Sequence, residues 1–148
     1  MAWNDPAGWK RSNAPGPMRK ASYEVPAAAG DTEPASLGVF HFGSKGGTVE
    51  ANVDRWVAQF QGVSREQLKR TDRSSGGLVQ HVVEIEKGTF ASGMPGGPTT
   101  PKPGWALLGA IVETPSGPWF FKLVGPKRTV EKARDEFFRL LDSAKVGA

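Results

Sequence analysis

Cysteine is absent from the 148 residues, which excludes disulfides, thiol nucleophiles and thiolate metal sites and leaves the redox compartment open. Histidine is nearly absent too. His41 and His81 are the only two, too few for a usual catalytic zinc, and no short ligand motif supplies the missing donors. No apolar run approaches the roughly 20 residues that cross a bilayer. The opening, Met1-Ala2-Trp3-Asn4-Asp5-Pro6, lacks the basic and apolar regions of a secretory leader, so a soluble chain is expected. Nucleophile elbows are missing as well: Ser74, Ser75, Ser92 and Ser116 fall in turn-like stretches with no G-x-S-x-G around them. Glu84 and Glu86 share a strand face, where adjacent acids are a solvated surface and not a pair facing across a cleft. Catalytic residues, metal ligands and cofactors are therefore not expected.

What is present suits one domain over residues 1–148. Hydrophobic residues make up 38% of the chain, with five Trp and eight Phe, enough apolar material to offset the entropy of ordering it. The 19 Gly and 12 Pro cluster in a few stretches, which places the excess in loops. The net charge is +4, but acids and bases alternate, as in Lys69-Arg70-Thr71-Asp72-Arg73. That mixture reads as a solvated surface and gives no expectation of a nucleic-acid partner.

Residues 1–17 form an irregular N-terminal segment around Pro6-Ala7-Gly8-Trp9, followed by a strand over 19–25 with Ala21, Tyr23 and Val25 on one face. A second strand covers 36–42, with Leu37, Val39 and His41 on one side and Phe40 and Phe42 on the other. After Gly46-Gly47, the spacing of Val49, Val53, Trp56, Val57 and Phe60 predicts a helix over about 48–61. A turn at Arg73-Ser74-Ser75-Gly76-Gly77 joins a short polar strand near 67–72 to a stronger one over 78–86. Residues 88–104, rich in Gly and Pro, predict a long exposed loop. Pro115-Ser116-Gly117 then joins two apolar runs, 105–114 and 118–124, as a hairpin. Thr129 is placed to cap a last helix, whose stripe is Val130, Ala133, Phe137, Leu140, Leu141 and Ala144. Strands, helix, strands and helix in this order predict an α+β fold, an antiparallel sheet packed against two amphipathic helices.

Three motifs invite chemistry. Gly43-Ser44-Lys45-Gly46-Gly47 precedes a helix but departs from the phosphate-loop pattern, because Lys45 comes before the double glycine. Trp119-Phe120-Phe121-Lys122 has the ingredients of a single-strand nucleic-acid platform, although alternating rings in a hairpin are better explained as packing. The 88–104 segment has most functional promise, since long irregular loops on rigid scaffolds are frequent contact sites. Phe90, Met94, Pro95, Pro98, Lys102 and Trp105 are its candidate binding residues.

The strand order, the Pro6-Ala7-Gly8-Trp9 start, the Met18 to Val25 strand, the Asn52-Val53-Asp54-Arg55-Trp56 helix and the closing hairpin and helix together resemble small bacterial lipoprotein-type domains with a PsbP-like fold. That resemblance implies a binding or assembly module, exported and tethered through a lipidated Cys. This chain has no Cys, so Met1 would then stand in place of a removed leader. The reading is a non-catalytic, extracytoplasmic (periplasmic or membrane-tethered) module that meets a protein or small ligand. A small metal-dependent hydrolase built on His41 or His81, and a basic nucleic-acid-binding domain, are the alternatives.

Overall fold

The computed structural model describes residues 2–12, 19–43, 46–93 and 98–146. The elements are β1 (Lys10–Ser12), β2 (Arg19–Val25), β3 (Ala35–His41), α1 (Val49–Ala58), β4 (Phe60–Gln61), β5 (Lys69–Ser75), β6 (Leu78–Gly93), β7 (Thr99–Val112), β8 (Trp119–Pro126) and α2 (Lys127–Ser143). One antiparallel sheet runs in the order β1-β2-β3-β8-β7-β6, and β4 and β5 both pair with β6, at its two ends. The expected α+β architecture holds. Its helices lie on opposite faces of the sheet, giving three layers.

Strand alternation sorts the core into two halves. Ala21, Tyr23, Val25, Leu37, Val39, Leu108, Ala110, Phe121 and Leu123 face α2, where Val130, Ala133, Phe137, Leu140 and Leu141 are buried. Val83, Ile85, Leu107, Ile111, Phe120 and Val124 face the other way, against Val53, Trp56 and Val57 of α1. Among the described residues, no helix is long and apolar enough to cross a membrane.

Local chemistry explains the boundaries. The β5–β6 turn has positive φ at both Gly76 and Gly77, as a two-residue type I′ hairpin requires, with Ser75 and Leu78 paired across it. At the start of α1, Thr48 caps the helix through its side chain, which accepts from the Ala51 amide at 3.1 Å. The apolar spacing extends this helix to Phe60, but the chain leaves it at Ala58 because Phe60 and Gln61 pair with Phe90 and Thr89 of β6. Thr129 is no cap. It lies inside α2, buried, where its hydroxyl donates to Asp31 at 2.6 Å and accepts from the Ala28 amide at 2.9 Å, fastening the β2–β3 loop to the helix.

Two sequence expectations are corrected. The described residues of the 88–104 segment are not an irregular loop: β6 runs on to Gly93 and β7 starts at Thr99, forming a paired ribbon with Phe90 opposite Lys102 and Ala91 opposite Pro101, while 94–97 lie outside the described residues. β8 pairs with β7 only from Trp105 onward, so the earlier part of β7 is a sheet edge, where proline is tolerated. The N-terminal segment is likewise not wholly irregular. Lys10–Ser12 form β1, and Trp3 packs edge-on against Trp119 and Phe121 at 6.1 and 5.4 Å. Trp3 Nε1 also donates to the Tyr23 hydroxyl at 2.8 Å. Burial, helped by the hydrogen bond to Asp5, pushes the Tyr23 pKa up to about 12.

Candidate functional site

Three of the residues proposed from sequence converge at the ribbon's root, on the α1 face. Phe90 of β6 and Trp105 of β7 stack in parallel with centroids 5.7 Å apart and planes within 5°. Lys102 lies over the Trp105 ring at 5.8 Å and pairs with Glu33 at 2.5 Å. Phe60 backs Phe90 from β4 at 5.2 Å, while Phe90 and Trp105 stay partly exposed. Pro98 is exposed just before β7. Met94 and Pro95 lie outside the described residues.

Lys122 completes the group. It sits on β8 between Gly38 of β3 and Gly109 of β7, so neither cross-strand neighbour has a side chain. The rings of Phe40 and Trp56 close over those glycines: a Cβ on Gly38 would lie 2.7 Å from Phe40, and one on Gly109 would lie 2.4 Å from Trp56. Lys122 therefore lies in a slot between two aromatic walls. Its ammonium donates to Gln59 Oε1 at the end of α1 and stands 5.7 Å from the Phe90 centroid. Burial, reinforced by the charges of Arg55 and Arg19, lowers its pKa to about 8. Arg19 lies over Phe40 at 5.0 Å and Arg55 donates to Asn52.

The histidines do not come together. His41 is on the α2 face, stacked on Trp119 at 4.4 Å, with Nδ1 3.0 Å from the Pro118 carbonyl. His81 is on the α1 face, opposite Ile111. Its nitrogens meet Asp72 and Glu113 at 2.9 and 3.0 Å. Burial alone would lower its pKa, yet these two bonds outweigh burial and raise it. Among the described residues, no group of three or more His, Asp or Glu side chains could hold a metal ion.

The other motifs resolve as packing. Phe120 and Phe121 are buried on opposite faces, so neither offers a face to a base. Gly47 and Thr48 border a hollow of about 320 Å³ that also holds Glu113, an acid unsuited to a phosphate site; Lys45 lies outside the described residues. A second cavity of about 280 Å³ lies beneath α2, with Leu108 and Val130 on its wall and the Arg134–Glu84 pair at its rim.

No family model matches the chain, and no curated protein matches it. Solved structures do. The PsbP protein CyanoP of the cyanobacterium Synechocystis sp. PCC 6803 superposes with a TM-score of 0.55 at 13% identity, over 98% of this chain and 85% of that one. The fold is PsbP-like. A Pseudomonas aeruginosa protein of unknown function, PA94, superposes with a TM-score of 0.54 at 15% identity, over 99% of this chain and 88% of that one. At these identities the likeness is one of fold, and the site must be argued from this chain's own side chains.

Of the residues gathered on this PsbP-like frame, the sequence singled out Phe90, Lys102 and Trp105 as candidates and Lys122 only within the Trp119-Phe120-Phe121-Lys122 run, and it did not point to Gln59, Arg19 or Arg55. One signal for Lys122 was available. It shares a strand face with Phe120 and Val124, so a charge was already due on an inward face of β8.

Proposed function

We propose that the protein is a non-catalytic binding module whose contact surface is the α1 face at the root of the β6–β7 ribbon. The observation that carries this is the stacked, partly exposed Phe90–Trp105 pair with a cation over each ring, Lys122 over Phe90 and Lys102 over Trp105. Aromatic and cationic side chains held on rigid strands offer contact area with little ordering cost, the pattern found in binding hot spots. His41 and His81 lie on opposite faces, which counts against the hydrolase reading in the form that needs both rings in one cleft. Extracytoplasmic placement is part of the proposal and rests on the resemblance to exported lipoprotein-type domains.

Site-specific photocrosslinking in the source organism tests the surface. A photoreactive phenylalanine analogue at position 90 is expected to trap a discrete adduct, whereas the same analogue at the exposed, remote Val146 is not. Equal labelling at both positions, or none at position 90, would refute the surface. Fractionation of the same cells tests the placement, and a cytosolic pool alone would overturn it.

A further inference from the structure

We infer that Lys122, Gln59, Arg19 and Arg55 form a recognition site for a carboxylate carried on an apolar body, which deepens the binding-module reading and rests on it. Charge pairing supplies the first argument. Many of the other cations are neutralised, among them Arg65 and Arg70 by Glu50, Arg73 by Asp142, Lys102 by Glu33 and Arg134 by Glu84, while those without an ion pair, such as Lys20, Lys87 and Lys132, are exposed to water, which Lys122 is not fully. Lys122 is more buried than most of these, yet its hydrogen-bond acceptor is the neutral amide of Gln59. Arg55 is likewise held by the neutral Asn52, and Arg19 by the Phe40 ring. None of the three has an ion-pair partner among the described residues. A buried ammonium without a counter-charge is costly, and the low pKa of Lys122 expresses that cost.

The geometry supplies the second argument. Gly38 and Gly109 clear the sheet on both sides of Lys122, and the Phe40 and Trp56 rings wall the slot so formed. Gln59 gives its carbonyl oxygen to Lys122, and its amide N–H groups have no partner among the described residues. An ammonium beside a free amide donor matches the two oxygens of a carboxylate. Beyond the ammonium, the Phe90–Trp105 stack supplies an apolar surface for the rest of the ligand.

Backbone and side-chain amide NMR of the full chain tests the site with four probes: a pentapeptide ending in phenylalanine, its C-terminally amidated twin, N-acetylphenylalanine and phenyl phosphate. The free-acid peptide is expected to shift the Gly38 and Gly109 amides and the Gln59 side-chain amide saturably, and the amidated twin is expected to leave them in place. Shifts by N-acetylphenylalanine as well would assign the carboxylate to small acids in addition to peptide termini. Equal shifts by both peptides, tighter binding of phenyl phosphate, or no shift with any probe would overturn the inference. Lys122→Met should weaken the free-acid peptide by about tenfold or more. If that variant does not fold, Arg55→Gln should weaken it by about threefold, and an unchanged affinity in either folded variant would again overturn the site. A crosslink trapped at position 90 together with a silent titration would remove the carboxylate and leave the binding module standing.

Discussion

At His81 a single ring connects a carboxylate of β5, Asp72, with one just past the end of β7, Glu113. Asp72 and Glu113 accept from its two nitrogens, so the doubly protonated imidazolium satisfies both acids while the neutral ring satisfies one. The pKa in the folded chain is raised above the ordinary 6.5. A raised folded value means that the stabilisation is fully present below the unfolded value and is lost as pH rises through the folded one. As pH rises from about 6.5 toward the range in which Lys122 begins to lose its proton, the urea midpoint of the parent chain should therefore fall relative to that of His81→Gln. Parallel pH profiles in the two proteins would show that the ring contributes nothing through its charge.

Gly109 shows a different constraint at the same scale. Its backbone needs no positive φ, so what excludes a side chain is Trp56, whose Cζ3 would sit 2.4 Å from an added Cβ. Gly109→Ala should cost about 1–3 kcal/mol by forcing Trp56 and α1 away from the sheet. In a Trp56→Ala background the same substitution should cost less than about 1 kcal/mol, because the obstructing ring is gone. Denaturation of the four proteins of the cycle measures the coupling, and additive costs would mean that the strain lies elsewhere.

Among the elements, α1 and α2 were both legible, and for the same reason: apolar side chains recur at three and four residues, and nothing in the surroundings breaks the period. Their ends were less so. Phe60 continues the helical spacing, but its partner in β6 is thirty residues away in sequence, a pairing that local pattern does not encode. The strand residues 88–93 and 99–104 read as loop in the sequence because glycine and proline argue against a central strand, whereas this end of β7 is an edge. The same misreading hid the site's geometry, since Phe90 and Trp105 stack only if both strands run on. Gln59 and Arg55 were invisible as site residues because their role depends on where α1 ends over β8.

Two substitutions probe the helices. Thr48→Ala removes the hydroxyl that holds the Ala51 amide and should cost about 1 kcal/mol, read as a lower urea midpoint; no change would mean that water caps α1 equally well. Phe137 of α2 is fully buried against the sheet, so Phe137→Asp places a charge where no partner exists among the described residues. The expected result is a chain without cooperative unfolding or dispersed amide resonances. A folded Phe137→Asp protein would contradict the docking of α2.

For the whole molecule, the sheet order makes the two halves of the chain depend on each other. Residues before the Gly76-Gly77 turn supply β1, β2 and β3 on one side of the sheet and β4 and β5 on the other. Residues after it supply the middle, β8-β7-β6, and α2. The second half alone would leave Phe120, Ile111 and Leu107 uncovered, because the helix over them, α1, belongs to the first half. The first half alone would lack Phe121, Leu123 and α2, against which Leu37 and Val39 are buried. Exposed apolar area of that kind cannot offset the entropy of ordering either piece. Fragments 1–76 and 77–148 should each show narrow amide dispersion, and mixing them should restore the dispersed spectrum, because the missing bond lies in an exposed two-residue turn and removes no buried contact. A second fragment that folds by itself would show that β6, β7, β8 and α2 form a self-sufficient core, with α1 and the site it covers an addition to it.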